Sequence, residues 1–155
     1  RHILDSAQIV LFLDKKISKI ADFGSGAGFP GIVLAIYGAN NAFHVKLYEK
    51  SPVKRIFLEE VRRKLGLNYD IYSNVYDNII DADIIVARAF KKLEEIIKIS
   101  REKILRNHRI LILKGKNAQM EINNVSLASN YSYKLINSIT DANSKVVLLN
   151  VKKNG

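Results

Sequence analysis

The stretch of this 155-residue chain best suited to chemistry is Asp22-Phe23-Gly24-Ser25-Gly26-Ala27-Gly28-Phe29-Pro30-Gly31. It continues a short apolar run, Ile20-Ala21-Asp22-Phe23, that reads as a buried strand. Glycines at such a place let backbone N–H groups approach a ligand with no Cβ in the way. The helix that follows adds the positive end of its dipole, which suits a carboxylate or a phosphate. An acidic residue at the end of the next strand is placed to accept from both hydroxyls of a ribose, and Glu49 holds that position. Asp22 either holds the turn through backbone N–H groups or reaches a ligand's amino group. Two spacings compete here. Gly26-x-Gly28-x-x-Gly31 fits a dinucleotide fingerprint, and Gly24-x-Gly26-x-Gly28 led by Asp22 fits that of S-adenosylmethionine. The second is better placed, because the turn should begin directly after the strand, which ends at Phe23. A nicotinamide enzyme also usually needs a substrate domain, for which 155 residues leave little room.

Two further positions carry charge at strand ends. Arg88 can pair bidentately with a carboxylate or an RNA phosphate, or form a salt bridge with Asp83. Lys114 suits a phosphate or a guanine O6, or is a solvated loop lysine. Lys54, Arg55, Arg62, Arg63 and Lys64 make a basic helix, read either as a phosphate-contacting surface or as a solvated face. Phe29 and Phe90 suit stacking on a splayed base or packing in the core. His2, His44 and His108 share no ligand spacing and read as surface or edge residues.

The elements that must position these residues follow from periodicity. Apolar residues from Ile3 to Leu13 predict a first helix, Ile32 to Tyr37 a second that stops at Gly38, and Phe43 to Tyr48 a strand. Ser51 and Pro52 sit where an N-cap and first helical residue belong, and Gly66 where a helix ends. Strands follow at Tyr69–Tyr72, Ile84–Ala87 and Arg109–Leu113, with helices from Leu93 to Ile104 and from Ala118 to Leu127. Tyr133–Ile139 and Lys145–Val151 finish the chain as two strands around an Asp141-Ala142-Asn143 turn. Alternating strands and helices imply parallel βαβ units, and the final pair implies one antiparallel hairpin at the sheet edge.

Composition narrows the partners. Lys and Arg number 25 against 15 Asp and Glu, a formal net charge of +10 that favours a polyanion. There is no cysteine, which excludes a disulfide scaffold, a thiolate nucleophile and pyrimidine methylation through a cysteine adduct. The two prolines, Pro30 and Pro52, cannot make the (Asp/Asn)-Pro-Pro-aromatic motif common in exocyclic amine methylation. No apolar run approaches the ~18 residues of a membrane span, and no signal-peptide pattern opens the chain, so a cytoplasmic protein is expected.

Several motifs, in order and spacing, resemble the small-subunit ribosomal RNA guanine-N7 methyltransferases, also called glucose-inhibited division protein B. They are Arg1-His2-Ile3-Leu4-Asp5-Ser6, the Asp22-to-Gly31 cluster with its Gly-Phe-Pro-Gly ending, Lys54-Arg55-x-Phe57-Leu58, Arg88-Ala89-Phe90 and Lys114-Gly115. The resemblance spans essentially the whole chain. It implies a class I S-adenosylmethionine-dependent, Rossmann-like α/β fold with a mostly parallel seven-stranded sheet. It implies methylation of N7 of one guanine in the 530 loop of 16S rRNA, with the small ribosomal subunit as partner and no metal. Guanine N7 has a lone pair and no proton to remove, so no general base is needed. Positioning by Arg88 and Lys114 then carries the catalysis.

Carried over position by position, the resemblance puts Gly24, Phe29, Val75, Tyr76 and Arg88 at the cofactor, with Val75 and Tyr76 on its adenosine part; Gly26, Gly28 and Glu49 join them from the chemistry of the glycine turn and the strand end. Lys54, Arg55 and Lys114 fall to RNA. The chain departs at Asn74-Val75-Tyr76, where the family shows Arg-Ala/Val-Glu, and in a short connection from Asp77 to Asp83. One methyltransferase domain over residues 1–155 is expected, without the family's upstream helices, and a monomer is favoured. The competing reading is an rRNA-binding module that keeps the fold without the activity.

Overall fold

The computed structural model describes residues 2–39, 43–88, 90–125 and 131–153. Seven strands form one sheet in the order β3-β2-β1-β4-β5-β7-β6. They are β1 (Lys19–Phe23), β2 (His44–Tyr48), β3 (Tyr69–Tyr72), β4 (Ile84–Arg88), β5 (His108–Lys114), β6 (Tyr131–Asn137) and β7 (Lys145–Val151). The first five are parallel, and β7 runs antiparallel between β5 and β6. This is the expected sheet with its terminal hairpin.

Both faces are covered, so the strands are apolar on both sides rather than alternating. On one face, α1 (His2–Ala7), α2 (Gly31–Gly38) and α3 (Pro52–Leu65) cover a core that includes Ile20, Leu34, Leu47, Leu58 and Val86. On the other, α4 (Leu93–Lys103) and α5 (Ala118–Asn124) cover Phe23, Ile85, Ile96, Ile112 and Ile122.

Local signals explain the element ends. Ser51 Oγ accepts from the Lys54 N–H at 3.4 Å, Pro52 opens α3, and Gly66 closes it in the left-handed region at φ 61°. The first helix is shorter than its apolar pattern predicts. Ser6 Oγ donates to His2 O at 2.7 Å, and the chain tightens into a 3-10 turn over Gln8–Phe12. The predicted end of α5 at Leu127 lies outside the described residues. At the amino ends of the strands, Asp83 accepts from the N–H groups of Ser18 and Lys19 at 2.8 and 2.9 Å and from Arg106 at 2.9 Å. Asp83 is therefore committed away from Arg88.

The register sets up the other edge. Phe23 pairs with Tyr48 on one side and Ala87 on the other, and Tyr48 pairs with Tyr72. Gly24, Glu49 and Ser73 thus each begin one residue past an aligned strand end, with Arg88 level with them. Strand order reverses between β1 and β4, which opens a crevice at these carboxyl ends.

Candidate active site

A cavity of about 490 Å³ occupies that crevice. Gly24, Gly26 and Phe29 line it from the glycine turn, Glu49 and Lys54 from the β2–α3 connection, Val75 and Tyr76 from the loop after β3, and Arg88 from the end of β4. Its size lies within the ~300–1,000 Å³ usual for small-molecule sites. Eight of the residues assigned from sequence are thus brought together. Gly28, Arg55 and Lys114 do not line the cavity.

The glycines divide by what surrounds them. A Cβ on Gly28 would lie 2.1 Å from Ile32 Cδ1, and one on Gly31 2.2 Å from Leu47 Cδ2. Those two are required for packing α2 against the sheet. A Cβ on Gly26 would meet nothing nearer than Gly24 O at 3.9 Å, and Gly26 has φ +56°. Its missing side chain leaves open space in the cavity. The frame of Gly24 and Gly26 therefore faces the ligand space, whereas the dinucleotide frame offers it Gly26 alone.

Several N–H groups of the turn are consumed inside the protein. Gly24 and Ser25 both donate to Tyr48 O, at 2.9 and 3.0 Å, and Gly28 donates to Ser25 O at 2.7 Å. Gly26 donates to Glu49 Oε2 at 2.8 Å, Gly31 to Asp22 Oδ2 at 3.0 Å, and Ile32 to Gly28 O at 2.6 Å. Of the amides expected to cradle a phosphate or carboxylate, those of Ala27 and Phe29, which both line the cavity, donate to no group among the described residues. The carbonyls of Gly24 and Gly26 accept nothing among the described residues. Such a turn offers acceptors as well as donors, which suits an amino group or a cationic ligand better than a pyrophosphate.

Asp22 resolves its two readings in favour of the turn. It is fully buried, and Oδ1 has no partner among the described residues. Burial pushes its carboxyl up to about 7, against the pull of the Ser25 hydroxyl and the Gly31 N–H. Glu49 is also buried, and Oε1 accepts from the Ser51 N–H at 3.1 Å. Each of its oxygens keeps a lone pair beyond those bonds, enough to accept two hydroxyls. Arg55 sits behind it, with Nη1 donating to Glu49 O at 2.9 Å and Lys50 O at 2.7 Å. Arg62 likewise donates to Tyr69 O and to Glu59. Two of the basic helix's five cations are thus engaged inside the protein, while Lys54 is exposed at the cavity.

Asn74 folds the loop after β3 by accepting from the N–H groups of Tyr76 and Asp77 at 2.7 and 3.1 Å. Val75 is buried beneath it, and Tyr76 donates through its hydroxyl to Glu95 on α4 at 3.1 Å. The departure Asn74-Val75-Tyr76 therefore builds its own wall. Arg88 has no acidic partner among the described residues; its Nη2 lies 3.4 Å from His2 Nε2. His2 is exposed, as read from sequence, but it also lines the cavity and packs on Phe29 with ring centroids 6.0 Å apart. No spacing in the sequence could have shown this, since α1 reaches the site across the fold. His44 is half-buried and pairs with Asp70, whereas His108 is buried at the start of the interior strand β5, contrary to its reading as a surface or edge residue.

Comparison with known proteins agrees with this geometry. The profile of the family described as rRNA small subunit methyltransferase G matches residues 1–150. The chain belongs to this family. It is 37% identical to the ribosomal RNA small subunit methyltransferase G of Pelagibacter ubique, over 99% of this chain and 73% of that one. It is 38% identical to that of Rickettsia akari, over 95% of this chain and 75% of that one. Among solved structures, a mutant MtNAS in complex with S-adenosylmethionine superposes with a TM-score of 0.69 at 12% identity, covering 97% of this chain and 62% of that one. Cofactor-bound Rv0187 from MTB does so with 0.71 at 15% identity, covering 97% and 80%. These likenesses establish the fold, and S-adenosylmethionine is the cofactor of this methyltransferase.

The cavity fits that group. The open Cβ space at Gly26, the remaining acceptors on Glu49, the Val75 and Tyr76 wall and Arg88, which has no acidic partner among the described residues, suit its methionine, ribose, adenine and carboxylate in turn. No helix among the described residues is long and apolar enough to cross a membrane.

Proposed function

We propose that the chain methylates N7 of one guanine in the 530 loop of 16S rRNA. Bound S-adenosylmethionine supplies an electrophilic methyl group. The protein's residues have to hold it and bring a nucleophile into line. The observation that carries the reading is how the acidic and imidazole groups that line the cavity among the described residues are held. Its one lining carboxylate, Glu49, is held by two backbone amides, and its one lining imidazole, His2, faces the Arg88 guanidinium. A ring nitrogen with a free lone pair suits such a site. An amine or hydroxyl that must lose a proton does not.

The RNA assignment draws on the family and on charge. Lys50, Lys54 and Lys91 are exposed cations on the cavity rim, suited to phosphates beside the target base. Phe29 and Phe90 line the same cavity and suit stacking on a base turned out of its helix.

The test is transfer of labelled methyl from S-adenosylmethionine to small subunits, or to 16S rRNA, that lack the modification. Transfer by the wild-type chain and none by Gly26→Val supports the reading. Calorimetric binding of the cofactor with no transfer to either RNA substrate would overturn it.

A further inference from the structure

Lys114 was a candidate for RNA contact because it ends a strand on the site's side of the sheet. The structure assigns it another task. We infer that Lys114 is a positioning residue that, together with Glu121, fixes the cofactor-facing loop between β4 and α4.

The side chain of Lys114 is only 13% exposed, and its Nζ lies 3.1 Å from Glu121 Oε2, whose side chain is 24% exposed. The same ammonium donates to Lys91 O at 3.0 Å. The same Glu121 oxygen accepts from the Leu93 N–H at 2.9 Å. Leu93 is the first residue of α4, and Lys92 before it supplies no side-chain cap. Glu121 therefore caps α4 from another helix, and Lys114 neutralises that carboxylate while holding the carbonyl two residues earlier. Burial alone would raise the Glu121 carboxyl. The Leu93 N–H and the Lys114 ammonium outweigh burial and bring it below its ordinary value.

The clamped loop reaches the ligand space directly. Phe90 and Lys91 line the cavity. The Phe90 ring packs edge-on against Phe23 with centroids 5.8 Å apart, and a Cβ on Gly24 would lie 2.3 Å from Phe90 Cδ1. The glycine turn and the Phe90 ring are thus in contact with no room between them. A loop released from Lys114 would carry Phe90 off Gly24 and alter both walls. A lysine engaged with a carboxylate and a carbonyl, and only 13% exposed, has two of its three N–H donors committed inside the protein. Its effect on RNA runs through the cavity.

This inference rests on the cavity being the cofactor site, but not on the identity of the methylated base. The test titrates S-adenosylmethionine calorimetrically into the wild-type chain, Lys114→Met and Glu121→Gln, and follows 16S rRNA binding against salt for each. Glutamine at 121 can still accept from Leu93 but carries no charge to neutralise the ammonium. The expected result is a cofactor Kd raised by about tenfold or more in both variants. KM for cofactor should rise in parallel, KM for RNA should stay constant, and the salt slope should be unchanged. If Lys114→Met does not fold, Glu121→Gln decides alone. Three results would overturn the inference. One is cofactor affinity within about twofold of wild type. Another is a salt slope reduced by about one for Lys114→Met, the mark of a lost phosphate contact. The third is unfolding of both variants, which makes the network purely structural. Failure of RNA methylation by the wild-type chain would leave the cofactor titration readable.

Discussion

Glu49 and Gly26 are joined by a 2.8 Å hydrogen bond from the glycine's N–H to Oε2, so the residue suited to a ribose also shapes the turn beside it. With Oε1 taken by the Ser51 N–H, the carboxylate bridges β1's turn and the start of α3.

That double duty makes glutamine a poor substitute at 49. Its amide nitrogen would face one backbone N–H or the other, donor against donor. Glu49→Gln and Glu49→Ala should both weaken S-adenosylmethionine binding by about 1–3 kcal/mol, the scale of a charged hydrogen bond lost. Isothermal calorimetry measures this, and wild-type affinity in Glu49→Gln would show that the acceptors do not matter.

Gly26 and Gly28 should fail in different ways. Gly26→Ala places a methyl in the ligand space and strains a left-handed residue by roughly 1–2 kcal/mol. It should fold and lose cofactor affinity. Gly28→Ala drives a methyl into Ile32 and Leu58, so it should lose thermal stability first. Paired melting and titration of the two variants separate the roles. Equal binding losses at equal stability would contradict them.

Arg88 should act on the cofactor's carboxylate. Arg88→Ala should weaken S-adenosylmethionine by about 10- to 100-fold while leaving 5′-methylthioadenosine, which lacks that carboxylate, bound as before. Equal losses for both ligands would place Arg88 elsewhere in the site.

Asp22 should make stability pH-dependent in an unusual direction. Its folded-state carboxyl sits at about 7, above an ordinary aspartate. Between the two values the folded state holds a proton that the unfolded chain has lost, so stability falls as pH rises through this window and levels off above it. Asp22→Asn removes the titration and keeps an acceptor for the Gly31 N–H. Relative to wild type it should gain stability from pH 4 to pH 7 and hold that gain at pH 8. Thermal melts across that range test this, and a difference constant with pH would contradict it.

Much of this was legible in the chain. Ser51, Pro52 and Gly66 bound α3 because caps and left-handed turns are local chemistry. The order of apolar runs yields the sheet because βαβ units leave few alternatives. The glycine turn and Glu49 mark the site because strand ends are where ligands bind. Contacts made across the fold were not legible. His2 enters the cavity only because α1 packs beside α2, and Arg55 looks like a surface cation until its guanidinium is seen on Glu49 O. Lys114 misleads for the same reason, since its partner Glu121 lies on a helix whose docking no spacing encodes. The N–H groups of Gly24, Ser25 and Gly26 looked available because sequence cannot show that Tyr48 O and Glu49 already hold them.

The most direct test is to map the methylated nucleotide. Unmodified 16S rRNA or small subunits would be incubated with the chain and S-adenosylmethionine, digested, and sequenced by mass spectrometry at nucleotide resolution. A single N7-methylguanine in the 530 loop, absent with Gly26→Val, is the predicted result. Methylation at a carbon, an exocyclic amine or a ribose hydroxyl would contradict a site built without a base.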